Sequence, residues 1–363
     1  MLLACFFHRR IIMKFPVLQK LLKNDDAFLI FGEVSRKYLT CFSSSDGYLL
    51  VKKDEACFFV DARYFEDAQK KIDSCEVELF DGFDRIKRHL DGTKNIIVES
   101  NYVTLRQFEK LKGVFSPVAV NFGDEPDGEL QRMRAIKSED EIASLKTAQK
   151  IAEIAFDEAL RFLKAGVSEN AVAAFIEYVM RKNGGEKLSF DTIVVSGASG
   201  SVPHGVPGEK IISKGEFVTM DFGTVYGGYH SDMTRTVVVG RASERQRNIY
   251  NAVLEAQEKA IKAVKPGLKC SDLDKVARDH LSEKGFGEFF THSLGHGVGL
   301  EIHEAPTVSA KCDRLLECGN VITVEPGVYI PGELGVRIED FGLVTENGFD
   351  NFTKADKNLI EIV

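Results

Sequence analysis

Short apolar runs alternate with charged, helix-spaced segments through the first third of the chain. The runs at 27–31 (AFLIF), 47–51 (GYLLV), 56–61 (ACFFVD) and 95–100 (NIIVES) read as strands, with helices at 64–71, 82–89 and 105–111 between them. That alternation predicts a small α/β domain. The polar stretch Gly123-Asp124-Glu125-Pro126-Asp127-Gly128 has the composition of an interdomain linker, dividing the chain into domains at 13–125 and 126–363.

Beyond it a longer period sets in. Ser138 followed by Glu141 is a capping-box signature, and Ile142, Leu145, Ala148, Ala152, Ala155, Ala159 and Leu160 recur at helical spacing until the helix ends near Gly166. The segment 162–185 (FLKAGVSENAVAAFIEYVMRKNGG) has an echo at 263–287 (AVKPGLKCSDLDKVARDHLSEKGFG). Each copy leaves a helix through Lys-x-Gly, crosses a polar turn and enters a second amphipathic helix. Two copies of one unit predict a pseudosymmetric domain whose site draws on both halves. Helix–turn–helix texture repeated by chance is the alternative.

Chemistry enters at 217–239 (FVTMDFGTVYGGYHSDMTRTVVV), a hairpin pattern turning at Gly227-Gly228, where paired glycines supply positive φ angles. Counting outward pairs Tyr226 with Tyr229 and Asp221 with Thr234, which makes Asp232 a diagonal neighbour of Asp221 on one face. Such carboxylates repel unless a cation joins them; otherwise they are solvated positions on an exposed hairpin. At 291–306 (THSLGHGVGLEIHEAP), His292, His296 and His303 account for three of the eight histidines. Their glycine neighbours Gly295, Gly297 and Gly299 allow a ligand to approach the backbone. Glu325 ends an apolar strand stopped by Pro326-Gly327, and a carboxylate there needs a cation or strong hydrogen bonds. Arg337 and Glu339 alternate onto one face, opposite Val336 and Ile338. Asp221, Asp232, His296, Glu325 and Glu339 thus offer four carboxylates and one imidazole, suited to Mn2+ or Co2+, with Fe2+ or Zn2+ also accommodated. Two ions roughly 3.5–4 Å apart would neutralise them and hold a bridging hydroxide.

Bulk properties narrow the class. The 363 residues suggest two or three domains, and a net charge of −8 argues against nucleic acid as a partner. No apolar run reaches the roughly 20 residues of a membrane span. Seven scattered cysteines without a C-x-x-C pair point to free thiols and a cytoplasmic setting. Near the start, His8, Arg9 and Arg10 follow the apolar run rather than precede it, which is the wrong order for a secretory signal. Residues 1–12 are expected to be a disordered extension, with Met13 an alternative start.

The second half resembles the pita-bread metallopeptidases, the family of methionine aminopeptidase, aminopeptidase P and prolidase, in its ordered Asp221, Asp232, His296, Glu325, Glu339 set. The resemblance implies an α+β pita-bread domain: a curved antiparallel sheet, helices on its outer face and metals in its concavity. It also implies that Asp221 chelates one ion, that His296 and Glu325 bind the other, and that Asp232 and Glu339 bridge both. Glu325 matches the general base and Arg337 a support behind a metal carboxylate. His204, in 201–208 (SVPHGVPG), matches a substrate-contacting histidine. His292 and His303 match the histidines of the proline-specific branch, which place the scissile carbonyl and stabilise the tetrahedral intermediate.

Residues 35–70 resemble the α/β N-terminal domain of creatinase, prolidase and aminopeptidase P, which methionine aminopeptidases lack. Tyr38-Leu39-Thr40 and Asp61-Ala62-Arg63-Tyr64 carry the match; Cys41-Phe42-Ser43-Ser44-Ser45 stands where the family usually shows Gly-Phe-x-Gly-Ser. The resemblance implies a dinuclear Xaa-Pro aminopeptidase acting on short peptides with proline second, and a homodimer through the N-terminal domain. A bond to proline has no N–H, and a site that works on the carbonyl needs none. A prolidase confined to Xaa-Pro dipeptides is the nearest alternative, and a non-catalytic binding module the remote one.

Overall fold

The computed structural model describes residues 14–363; the expectations for 1–12 and Met13 fall outside the described residues. The chain divides into two compact units, one ending at Arg134 and one spanning Ala135–Val363.

The first unit runs α1 (Lys14–Leu21), β1 (Asp26–Ile30), α2 (Glu33–Thr40), β2 (Tyr48–Lys52), β3 (Ala56–Val60), α3 (Phe65–Lys71), β4 (Glu76–Leu79), α4 (Phe83–Lys87), β5 (Asn95–Val98), α5 (Leu105–Phe115) and β6 (Ala119–Phe122). Its mixed sheet has the order β4-β3-β2-β1-β5-β6. Strands β1–β2 and β2–β3 pair antiparallel, and the remaining neighbours pair parallel. The four apolar runs of the sequence are the four inner strands. The edge strands β4 (EVEL) and β6 (AVNF) escape the pattern because edges tolerate charge and brevity.

The linker expectation at 123–128 is corrected: helix α6 occupies Asp124–Ala135. Pro126 sits in its first turn, where a missing N–H costs nothing, and Asp124, Glu125 and Asp127 favour the positive end of the helix dipole.

The second unit opens with α7 (Glu139–Phe162), whose Ser138–Glu141 capping box is formed in both directions. There follow α8 (Glu169–Lys182), β7 (Lys187–Leu188), β8 (Ile193–Ser196), β9 (Phe217–Phe222), β10 (Thr224–Tyr226), β11 (Tyr229–His230) and β12 (Met233–Val239). The second half contains α9 (Glu244–Ala263), α10 (Cys270–Glu283), β13 (Gly295–Gly297), β14 (Glu304–Val308), β15 (Val321–Val324), β16 (Gly327–Ile330), β17 (Leu334–Arg337), β18 (Asp340–Thr345), β19 (Gly348–Asn351) and β20 (Glu361–Ile362).

The echo in the sequence is a structural repeat. Gly166 and Gly267, at φ +93° and +80°, lead into α8 and α10, each of 14 residues. Isolated antiparallel bridges then tie Ser168 to Ile211 and Lys269 to Leu315. Each half closes its own apolar core, α7 and α8 against β8, β9 and β12, and α9 and α10 chiefly against β15 to β18. The helices thus cover one face of the strands and leave the other for the site. The strands form small sheets, β20-β12-β9-β8 and β14-β13-β15-β18-β19 being the largest in this unit. Hydrogen bonds from Glu339 N to Thr234 O and from Thr236 Oγ1 to Arg337 O lace the halves together. No helix among the described residues is long and apolar enough to cross a membrane.

Candidate active site

The hairpin register is the one counted from the glycine turn. Tyr226 faces Tyr229 and Asp221 faces Thr234, with Gly227 and Gly228 at φ +59° and +83°. Asp221 and Asp232 both line a cavity of about 960 Å³, together with His296, Glu325, Glu339, Arg337, His204, His292 and His303. All nine residues singled out in the sequence therefore surround one cavity.

His296 lies in β13, and its flanking glycines serve a purpose other than ligand access. A Cβ on Gly295 would stand 2.2 Å from Thr323 O, and one on Gly297 would stand 2.4 Å from Ala305 O. They let neighbouring backbone close around His296. Its Nδ1 lies 3.1 Å from Gly297 O, and a carbonyl only accepts, so Nδ1 carries the proton. Burial, then His303 beside it, pushes the imidazole down to about 4, so the ring is neutral. Its Nε2 lone pair therefore faces Glu325 Oε1 at 3.4 Å and Asp232 Oδ2 at 3.5 Å.

The carboxylates are short of partners. Asp232 and Glu339 are 4% and 1% exposed. Asp221 Oδ1 and Asp232 Oδ1 are buried with no hydrogen bond. Burial, then Asp221 and Glu325, raises the Asp232 carboxyl well above its ordinary range; burial, then Asp232, does the same to Glu339. Burial lifts Glu325 to about 8, with Asp221 adding and Arg337 opposing. Donor atoms of Asp232, His296 and Glu339 lie within 4.8 Å of one another. Bonds of roughly 2.1 Å to one ion would space ligands about 3–3.5 Å apart. Orphaned oxygens, a bare imidazole lone pair and mutually repelling carboxyls fit divalent cations at Asp221, Asp232, His296, Glu325 and Glu339.

A ring of supports holds this set. Arg337, 4% exposed, donates through Nη2 to Asp221 Oδ2 at 2.5 Å, through Nε to Thr234 Oγ1 and through Nη1 to Tyr329 Oη at 2.7 Å. Thr234 Oγ1 in turn donates to Glu339 Oε2 at 2.7 Å. Thr323 Oγ1 accepts from His296 N and donates to Glu325 Oε1. His292 is neutral, pushed down to about 4 by burial and then by Arg337. Its Nδ1–H points to Ser293 O and its Nε2 accepts from Tyr329 Oη, so both nitrogens are engaged. His204 and His303 are exposed at the cavity wall.

Sequence reading missed Thr323, Tyr329 and a buried pair behind Glu339. Arg235 binds Asp340 at 2.7 Å and donates to the carbonyl of Glu339, which fixes the backbone of that carboxylate. Thr234 alone had a signal, its register opposite Asp221.

Known proteins resemble the chain along its length. Residues 143–346 match metallopeptidase family M24, and residues 18–136 match the creatinase/prolidase N-terminal domain. An Xaa-Pro dipeptidase of Pyrococcus horikoshii is 42% identical over 342 residues, covering 93% of this chain and 95% of that protein. The solved structure of an Xaa-Pro dipeptidase from Bacillus anthracis superposes with a TM-score of 0.92 at 40% identity, over 97% and 99% of the two chains. An X-Pro aminopeptidase from Thermotoga maritima gives 0.89 at 37% identity, over 95% and 99%. The chain belongs to metallopeptidase family M24, with a creatinase/prolidase N-terminal domain ahead of a pita-bread catalytic domain.

Proposed function

We propose that the chain is a dinuclear Xaa-Pro dipeptidase that splits the bond between a residue and a C-terminal proline. The aminopeptidase favoured by the sequence takes second place, because proteins named Xaa-Pro dipeptidase match nearly the whole chain at 42% and 40% identity. It keeps its standing as the rival through the similar X-Pro aminopeptidase. The observation that carries a metal-dependent hydrolase is the bare Nε2 of neutral His296 among buried carboxyls.

Ions held by Asp221, Asp232, His296, Glu325 and Glu339, with Mn2+ the best match to the donors, would polarise the scissile carbonyl and lower the pKa of the attacking water. Glu325 takes the proton that water loses and returns it to the proline nitrogen as the C–N bond breaks. Thr323 fixes the Glu325 oxygen for that transfer. Arg337 holds Asp221 in its orientation. His204 and His303, open to the cavity, donate to the substrate's carbonyl and carboxylate. With both nitrogens engaged, His292 steadies the Tyr329–Arg337 pair.

The test is release of free proline from Xaa-Pro dipeptides and of the first residue from Xaa-Pro-Yaa tripeptides, with Mn2+ or chelator. Metal-dependent cleavage of the dipeptide alone supports the proposal. Equal cleavage of the tripeptide restores the aminopeptidase, and no cleavage of either by metal-loaded protein overturns both.

A further inference from the structure

Away from the catalytic cavity, the first unit gathers a second set of donor atoms. In the parallel pair β3–β4, Cys57 stands opposite Glu76 and Phe59 opposite Glu78. Strand alternation therefore puts Cys57, Glu76 and Glu78 on one face. His89, just past α4, folds over it. Its ring meets Phe59 edge-on at 5.2 Å, its Nε2 is 2.9 Å from Glu78 Oε1, and Lys52 Nζ holds its carbonyl at 2.8 Å. One donor atom from each of Cys57, Glu76, Glu78 and His89 lies within 4.8 Å of the others.

Two features distinguish this cluster from an ordinary ion pair. Cys57 is 3% exposed, and no hydrogen bond reaches its sulfur among the described residues. Glu76 also shares the face with Glu78, whose second oxygen is met only loosely by Arg85 Nη1, at 3.7 Å. A buried unpartnered thiol, an imidazole and two carboxylates form the donor mix of a four-coordinate, borderline-soft ion. The His89–Glu78 hydrogen bond is then the metal-free resting arrangement.

We infer that Cys57, Glu76, Glu78 and His89 form a second metal site, for a zinc-like divalent ion, which pins edge strand β4 and the turn after α4 onto β3. The site is separate in chemistry from the catalytic cavity, whose lining contains no cysteine. It gives the exposed edge strand a cross-link that its short, charged sequence does not provide.

The probe is Co2+ added to full-length protein carrying Asp232→Asn and Glu339→Gln, which silence the catalytic site. A sulfur-to-cobalt charge-transfer band in the near ultraviolet should saturate at one ion per chain and bleach when Zn2+ is added. Cys57→Ser in the same background should abolish it, and His89→Gln should weaken Co2+ binding about tenfold or more. Far-ultraviolet circular dichroism checks that each variant is folded; if Cys57→Ser is not, His89→Gln and Glu78→Gln decide. No band in the parent, a band that survives Cys57→Ser, or binding unmoved in folded His89→Gln and Glu78→Gln would overturn the site.

Discussion

Nε2 of His296 stands 3.5 Å from Oδ2 of Asp232, beyond a good hydrogen bond and close to the separation of two ligands on one ion. In the metal-free protein, protons must supply the neutralisation that cations otherwise give. Glu325 is lifted to about 8, and Asp232 and Glu339 are raised well above ordinary carboxyls, by burial first in each case.

At these three carboxyls the metal-free fold holds protons that the unfolded chain has lost, from the ordinary carboxyl range up to about pH 8. His292 and His296, pushed down to about 4, oppose this only below the ordinary imidazole range. Stability falls as pH rises wherever the folded state holds the extra protons. Thermal unfolding in chelator should give a lower midpoint at about pH 8 than at about pH 5.5. Mn2+ should raise the midpoint more at the higher pH, since binding displaces those protons. A metal-induced shift that is larger at low pH would contradict this account.

Asp232→Asn removes a candidate ligand and one buried charge together. Hydrolysis of Xaa-Pro should fall by more than about a hundredfold. The metal-free midpoint should hold or rise, because a repelling carboxyl is gone. Parallel assays of turnover and thermal unfolding in chelator separate these effects.

Tyr329→Phe takes away the hydroxyl shared by Arg337 and His292. Leaving those buried groups unpaired should cost about 1–3 kcal/mol in urea unfolding. Turnover should drop by roughly tenfold to a hundredfold as Asp221 loses its fixed support. Steady-state kinetics should place the loss mainly in kcat.

Asp340→Ala strands Arg235 and Lys357, which it binds at 2.7 and 3.0 Å. Breaking a buried pair from one side should cost about 3–5 kcal/mol. The urea midpoint should fall at unchanged slope.

Cys41 ends α2 at φ +55°, the only positive φ outside glycine among the described residues. It stands where the resemblance drawn from the sequence places a glycine. A left-handed L-residue costs about 1–2 kcal/mol, against about 0.5–1 for the freedom glycine loses on folding. Cys41→Gly should stabilise the protein by about 0.5–1 kcal/mol, read from denaturant unfolding, with activity unchanged.

What the sequence disclosed and what it hid follow from locality. The glycine turn at Gly227-Gly228 sets the register, so Asp221, Asp232 and Thr234 could be placed by counting. Alternation likewise put Arg337 and Glu339 on the cavity side, with Val336 and Ile338 in the core. Arg235 and Asp340 lie 105 residues apart, and no local pattern announces such a pair. Tyr329 was hidden for a similar reason: its hydroxyl matters only once β16 is folded against His292. Helix α6 was mistaken for a linker because Pro and Asp mark loops and first helical turns alike.

The repeated half-domain also decides what either half could do by itself. Each half packs most of an apolar core of its own, and of the candidate ligands the first contributes Asp221 and Asp232 and the second His296, Glu325 and Glu339. Phe217 and Val238 of the first half pack into the core of the second, and neither half alone carries the whole ligand set. Aspartates on one side, glutamates on the other and an imidazole on one side only make the two walls of the site chemically unequal, so the set is completed only where the halves meet.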